Sequence, residues 1–180
     1  MGKRHSKLSP ESIKELQQCT GFSAKELQKW HKGFMVECPC GRMTKVEFEK
    51  LYRGRFPQGD ASLFAEHTFR TFDKDGDESI DFKEFICGLS ITCYGTEEDK
   101  LRWAFNMYDV DRSGSITEQE LVEIVRSLCK MTGEEDDDKP KQIAENLFLK
   151  MDGDGDGVVT MDEFVDAAKS DPNILNLVQQ

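Results

Sequence analysis

Apolar residues along the chain fall into short stripes at helical spacing, and polar windows of one fixed length interrupt them. Ala65, Phe69 and Phe72 lead into the first of these windows. Leu101, Phe105 and Tyr108 lead into the next, and Ile143, Leu147 and Met151 into the last. Leu121, Ile124, Val125 and Leu128 leave the middle window on one helical face, and Phe164 and Ala168 leave the last. Recurrence every three to four residues predicts amphipathic helices on both sides of each window, with these residues as core. The windows are Asp73–Glu84 (DKDGDESIDFKE), Asp109–Glu120 (DVDRSGSITEQE) and Asp152–Glu163 (DGDGDGVVTMDE), each twelve residues long. Position 8 is apolar every time (Ile80, Ile116, Val159), as two windows need if they are to pair through a short strand. The chain therefore reads as a helix–loop–helix repeat.

The windows carry the chemistry of a hard cation. Calcium takes about six to eight oxygens in a flexible shell. A twelve-residue EF-hand loop supplies them from side chains at positions 1, 3 and 5, a carbonyl at 7, often a water at 9, and a bidentate Glu at 12. Those positions fall on Asp73, Asp75, Asp77, Ser79 and Glu84, then on Asp109, Asp111, Ser113, Ser115 and Glu120. In the last window they fall on Asp152, Asp154, Asp156, Val158 and Glu163, with Ser79, Ser115 and Val158 offering main-chain oxygen. One acidic turn would read as a solvated loop, but three in one phase predict three calcium ions. Such loops pair, so a fourth is expected upstream. Val36–Glu47 (VECPCGRMTKVE) keeps Gly41 at position 6, Met43 at 8 and Glu47 at 12. Val36, Cys38 and Cys40 replace the hard oxygens at positions 1, 3 and 5, and Pro39 stiffens the turn, so this window is expected to keep the shape without the ion.

These repeats predict an all-α fold of four EF-hands in two paired lobes, with short two-stranded β pairings between loops. The boundaries read as 1–22 (N-terminal motif and helix), 23–94 (first lobe), 95–170 (second lobe) and 171–180 (tail), with Gly95 as the hinge before a helix start at Thr96-Glu97-Glu98-Asp99. Net charge is −11, which argues against a nucleic-acid partner, and twelve Phe supply a core. No apolar run approaches the ~20 residues of a spanning helix. Met1–Pro10 lacks the apolar stretch of a secretory signal, so the six cysteines are expected as reduced cytosolic thiols. Cys38-Pro39-Cys40 is too small a cluster for a zinc site by itself. The run Glu134–Asp138 predicts a solvated loop. His5, His31 and His67 form no nucleophile–base pattern and the acids are claimed as ligands, so no enzyme is expected.

A first loop reading Cys-Pro-x-Gly followed by three acidic ones resembles the neuronal calcium sensor family. The likeness extends over Met1–Leu8, Trp30-His31-Lys32-Gly33-Phe34, Lys100–Phe105 and Ala168-Lys169-Ser170-Asp171-Pro172. Within that family, Gly59-Asp60-Ala61 and Phe64–Asp73 look most like the neurocalcin, hippocalcin and visinin-like branch. The resemblance implies an N-myristoylated, cytoplasmic protein that associates peripherally with membranes and exposes an apolar groove to an amphipathic target helix when calcium binds. Carried across, the groove is lined by Trp30, Phe34, Phe48, Tyr52, Phe56, Phe64, Phe69, Phe85 and Leu89. Gly2 fits the acylation pattern, with Ser6 at the required position, and Lys3, Arg4 and Lys7 suit an anionic inner leaflet. A homodimer is left open. Three features depart from the family pattern: Glu78 in place of the position-6 glycine, the acidic 134–138 segment, and a short tail after Pro172.

The readings that compete with a sensor are a cytosolic calcium buffer, a stable regulatory subunit of an enzyme, and a guanylate-cyclase activator or receptor-kinase inhibitor of the same family. Buffers barely open on binding ions, which separates the first from a sensor. The ion-less first loop argues against the second.

Overall fold

The computed structural model describes residues 7–134, 136 and 138–178, with side chains as far as residue 175. Among the described residues the chain forms ten helices and four three-residue strands. In order these are α1 (Pro10–Cys19), α2 (Ala24–Glu37), β1 (Arg42–Thr44), α3 (Lys45–Arg55), α4 (Ser62–Phe72), β2 (Ser79–Asp81) and α5 (Phe82–Tyr94). The second half continues with α6 (Glu97–Tyr108), β3 (Ser115–Thr117), α7 (Glu118–Met131), α8 (Lys139–Met151), β4 (Val158–Thr160), α9 (Met161–Ser170) and α10 (Pro172–Val178). The helical EF-hand architecture expected from the repeats is present.

Most helices begin where a reciprocal cap forms. Ser23 with Glu26, Thr44 with Glu47, Asp81 with Glu84, Thr96 with Asp99, Thr117 with Glu120 and Thr160 with Glu163 each make a complete capping box. In each box the side chain at the cap accepts the third N–H of the helix, while the carboxylate three residues on accepts the N–H of the cap itself. Two donors that the helix leaves orphaned are thereby satisfied. Ser9 caps α1, and Pro10 begins it, where its missing N–H does no harm.

The strands pair as the apolar position-8 residues require. β1 and β2 are antiparallel with Met43 opposite Ile80, and β3 and β4 are antiparallel with Ile116 opposite Val159. All four of these side chains are buried, so each short ribbon joins its two loops over a core.

Two cores result. The first is built on Leu27, Phe34, Phe48, Phe69, Ile80 and Ile86; the second on Leu101, Phe105, Ile116, Leu121, Ile124 and Phe164. Ala61 and Phe64, although they precede Gly95 by more than thirty positions, are buried in the second core. Helix α4 is the reason, because it packs against α3 and α5 of its own half and against α6 and α7 of the other. The Asp60 N–H donates across to the Lys130 carbonyl at 2.9 Å just before α4 begins. His67 of α4 is buried against α7, with Nε2 3.7 Å from a Glu123 oxygen. Burial and the neighbouring Arg70 push the His67 pKa down, so at neutral pH this is a contact with a neutral ring and not an ion pair. No helix among the described residues is long and apolar enough to cross a membrane.

At Gly59 the two halves approach closely. A methyl group there would run into the carbonyl oxygens of Lys130 and Met131, which are backbone and cannot swing aside. Gly59→Ala is expected to destabilise the protein by about 2 kcal/mol through overpacking, lowering the melting temperature by about 4–8 °C for a chain of this size. Gly54→Ala is the control: it lies in α3 with nothing within 4 Å of the added carbon, so it is expected to be neutral or stabilising by up to ~1 kcal/mol. Thermal unfolding followed by circular dichroism checks both; equal effects from the two variants would contradict the close approach.

Candidate metal centres

Each acidic window begins where a helix ends. Asp73, Asp109 and Asp152 are the C-caps of α4, α6 and α8, so position 1 is the first residue free to turn away from the helix. Its carboxylate then gathers the loop. One Asp73 oxygen accepts the Gly76 N–H at 2.8 Å and the other accepts that of Glu78 at 3.1 Å. Asp152 does the same with Gly155 (2.8 Å) and Gly157 (3.1 Å). Asp109 accepts from Ser113 and Gly114, both at 2.9 Å. These bonds wind the backbone so tightly that positions 4 and 6 both take positive φ: Gly76 (74°) and Glu78 (65°), Arg112 (60°) and Gly114 (91°), Gly155 (74°) and Gly157 (89°).

The glutamate at position 12 closes each loop. Oε2 of Glu84, Glu120 and Glu163 accepts the cap N–H of the exit helix, at 3.0, 2.8 and 2.9 Å. Oε1 reaches back to the start of the loop. Glu84 accepts there from Lys74 (2.9 Å) and Asp75 (3.3 Å), Glu120 from Val110 (2.9 Å) and Asp111 (3.2 Å), and Glu163 from Gly153 (3.1 Å). Three carboxylate groups thereby converge, with one oxygen from each residue within 4.8 Å of the others: Asp73, Asp75 and Glu84; Asp109, Asp111 and Glu120; Asp152, Asp154 and Glu163. Such sets of hard, anionic oxygens fit calcium and offer nothing to a soft thiophilic ion. Hydrogen bonds from Thr160 hold the Glu163 carboxyl below its usual range, so it is ionised at neutral pH.

Two predicted acidic ligands stand outside these groups. Asp156 accepts the Val158 N–H at 3.0 Å. Asp77 accepts the Ser79 N–H and hydroxyl at 2.9 and 2.6 Å and forms an ion pair with Arg42 of the first window. The Ser79 hydroxyl and the Arg42 guanidinium hold the Asp77 carboxyl below its ordinary range. At position 5 of the third window, Ser113 donates to the Ser115 carbonyl at 3.0 Å. Ser79, Ser115 and Val158 are the first residues of β2, β3 and β4.

The first window differs at its start and not at its end. Glu47 keeps the cap, accepting the Thr44 N–H at 2.7 Å and its hydroxyl at 2.9 Å, and β1 and α3 follow as in the other repeats. At the other end α2 runs on through Val36 and Glu37, two residues past the corresponding point of α4. With no acid at position 1, the Gly41 N–H turns to the Cys38 carbonyl at 2.9 Å. Pro39 occupies position 4, where the other loops take positive φ and donate an N–H back to position 1; proline supplies neither. Cys38 is buried, which with the nearby Glu47 pushes its thiol up to about 11, while exposed Cys40 donates to the Arg42 carbonyl at 3.1 Å.

Sequence reading missed Arg112. It is a rare non-glycine residue with positive φ, and its guanidinium crosses to the first half, donating to the carbonyls of Arg70 (2.9 Å) and Asp73 (3.1 Å) at the end of α4. The signal was available: position 4 reads Gly, Arg, Gly in the three acidic windows. Among the residues read as a groove, Phe34, Phe48, Phe64 and Phe69 are buried, Tyr52, Phe56, Phe85 and Leu89 are half-buried, and Trp30 is 39% exposed. Phe64 packs in the second core, apart from Phe34, Phe48 and Phe69 in the first. Gly2, Lys3 and Arg4 lie outside the described residues; Lys7 is exposed. In the 134–138 run Glu134, Asp136 and Asp138 are exposed, Glu134 pairing with Lys139 at 2.5 Å.

Two protein-family models match the chain. One described as an EF-hand domain pair covers residues 98–169, and one described as an EF hand covers residues 65–86. Together they take in all three acidic windows.

The positive φ of Glu78 carries a prediction. A side chain in the left-handed region costs about 1 kcal/mol relative to glycine. Glu78→Gly is therefore expected to tighten the second window for calcium by about fivefold. Calorimetric titration checks this, and unchanged or weaker binding would mean that strain at this position is not what limits the site.

Proposed function

The chain is a calcium-binding EF-hand protein, and from that premise we propose that it is a calcium sensor. Three ions, one in each of windows 73–84, 109–120 and 152–163, drive the first half to take up an amphipathic helix of a target protein and promote association with an anionic membrane surface. What carries a sensor over a buffer is the adjacency of ligands and core rings. Asp73 follows Phe72 and Glu84 precedes Phe85, and those two rings stack at 6.4 Å. Phe85 continues the series to Phe34 (5.3 Å) and Trp30 (6.2 Å). An ion that draws Asp73 and Glu84 together acts on these rings through single covalent steps. Opening then separates rings that now fill the space between α2 and α5, and the half-exposed end of the series, with Trp30, Phe85 and Leu89, is where the apolar face of a target helix would insert. A ligand shifts a conformation only through a difference in its affinity for the two states, and this linkage supplies one.

Calorimetry on the full chain is expected to return three ions, and Glu163→Gln, which removes one charged oxygen pair, to return two. In the same titration a hydrophobic dye is expected to brighten as calcium binds. Phe85→Ala is expected to weaken a captured target helix by about tenfold, as a buried aromatic anchor does, while calcium affinity moves less than about threefold. Four ions, or fewer than two, would refute the assignment of the windows. A flat dye signal would make the protein a buffer.

The membrane part of the proposal rests on Met1-Gly2-Lys3-Arg4-His5-Ser6. One myristoyl chain binds bilayers only weakly, about 10⁴ M⁻¹. Lys3, Arg4 and Lys7, with no acid before Glu11, would add about 1 kcal/mol each near an anionic leaflet, or roughly a hundredfold together. Myristoylated protein is expected to co-sediment with anionic liposomes more in calcium than in chelator, and Gly2→Ala to abolish the difference. Equal binding in both conditions would leave an anchor without a switch; binding untouched by Gly2→Ala would remove the anchor.

A further inference from the structure

Residues 15–26, which include the end of α1, run beside residues 83–94 of α5 in a nearly constant offset. Glu15 pairs with Lys83 at 2.5 Å, 68 positions away. The Gly21 N–H donates to the Ser90 hydroxyl at 3.0 Å, 69 positions away, and the Tyr94 hydroxyl donates to Glu26 at 3.1 Å, again 68 away. Gly21 is needed for so close an approach, since a methyl group on it would stand 2.8 Å from the Tyr94 ring. Within this ladder, at the same offset of 68, sit two thiols: Cys19 and Cys87, with their sulfurs 3.9 Å apart.

We propose that Cys19 and Cys87 are a redox modification site that closes to an intramolecular disulfide under peroxide and staples α1 to α5. The contacts on either side hold the two cysteines together, so the second step of oxidation is intramolecular and needs no encounter. A disulfide places its sulfurs about 2.05 Å apart. The remaining gap is within reach of a side-chain rotation at Cys19, whose thiol makes only long contacts to the carbonyls of Glu15 (3.5 Å) and Leu16 (3.6 Å). Accessibility orders the chemistry. Cys19 is exposed and meets the oxidant, whereas Cys87 is half-buried, and burial followed by the nearby Cys19 pushes its thiol up to about 11. The Cys19 sulfur attacks hydrogen peroxide and the O–O bond breaks. The sulfur keeps one hydroxyl as a sulfenic acid, and the other leaves as water with the thiol proton. The Cys87 sulfur then attacks the Cys19 sulfur, the S–O bond breaks, and the hydroxyl departs with the Cys87 proton as a second water. Two thiols are oxidised and one peroxide is reduced; a dithiol reverses the change by exchange. The pair Cys38 and Cys40 is no rival, because Cys38 is buried in the first core and Cys40 is exposed beside Arg42.

The staple ties the helix that follows the N-terminal segment to the exit helix of the second window. Its test is independent of whether the protein is a sensor. The full chain is treated with a small excess of hydrogen peroxide, once in calcium and once in chelator. In at least one condition the intact mass is expected to fall by two hydrogen atoms, free thiols to fall from six to four, and peptide mapping to join Cys19 to Cys87. Cys19→Ser and Cys87→Ser are each expected to abolish the link. A Cys40→Ser/Cys93→Ser/Cys129→Ser chain, which leaves the buried Cys38 in place, is expected to keep it. Hydrogen exchange through α1 is expected to slow about tenfold in the oxidised chain and to recover on reduction. The proposal is overturned if peroxide leaves Cys19 and Cys87 unlinked in both conditions, if Cys19 is found joined to another cysteine or another chain, or if α1 exchanges at the same rate after linkage.

Discussion

The structure depends on one constraint: a single glutamate at the end of each loop must serve two ends of the backbone at once. Its Oε2 starts the exit helix by capping it, and its Oε1 collects N–H groups from the beginning of the loop. The cap fixes where the helix begins, which places the apolar position 8 in a strand and turns the first apolar face onto the core. Loop closure does something separate, bringing the carboxylate within 4.8 Å of two aspartates. The first window separates the tasks. Glu47 retains the cap, and with it β1, the pairing to β2 and α3. It has lost the partners for closure, because α2 overruns the turn and the Cys38 N–H, at position 3, donates to the Phe34 carbonyl instead. Starting the exit helix and closing the loop thus draw on different oxygens of one side chain.

Helix α4 makes the two halves one object. It enters the second window with Asp73 at its C-terminus, yet Phe64 near its start is buried among side chains of the second half. Arg112, inside the third window, donates to the α4 carbonyls of Arg70 and Asp73. A guanidinium is well placed at a helix C-terminus, where unpaired carbonyls carry partial negative charge. The residue that supplies it is held at φ 60°, a conformation ordinary side chains avoid, so the contact and the strain sit on the same residue. The third window is consequently tied to the helix that delivers the first acid of the second.

Much of this was legible in the sequence, and what was not has a common cause. Loop positions and capping boxes are local, following from residues three to eleven positions apart, as Thr160 with Glu163 does, and the repeat itself sets the pairing of Met43 with Ile80 by placing each at position 8 of its window. The same holds for the left-handed turn at Glu78, because position 6 fixes it. The destination of an apolar face is not local. Phe64 and Phe69 belong to one helix, but Phe64 is buried in the second core and Phe69 in the first. Helical periodicity gives a stripe without saying how many neighbours share it. The alignment of residues 15–26 with 83–94 is likewise invisible, since nothing in Cys19 or Cys87 alone distinguishes them from the other four thiols. Position 5 fell between these cases. The loop pattern names Asp77 and Asp156 as ligands, and one oxygen of each accepts the N–H two residues ahead, as Asp75 and Asp154 do at position 3.

Asp77 also shows that the first window is more than a pairing strand for the second. Arg42 occupies position 7 there, the residue that begins β1, and the antiparallel register puts it opposite Asp81 at the far end of β2. From that position its guanidinium reaches Asp77 and, at 2.8 Å, the Ser79 hydroxyl. A cation is therefore already engaged with one of the oxygens that the loop pattern assigns to calcium. Arg42 holds Oδ2 of Asp77 while Oδ1 faces Ser79, so an ion entering the second window either shares that carboxylate with a guanidinium through Oδ1 or displaces it. Nothing equivalent faces the fourth window, where the partner strand contributes Ser115, Ile116 and Thr117 and no charge. The two ribbons have the same antiparallel pairing, so this difference comes from side-chain chemistry: a loop without the acids at positions 1, 3 and 5 still sets the electrostatic surroundings of its neighbour's acidic cluster.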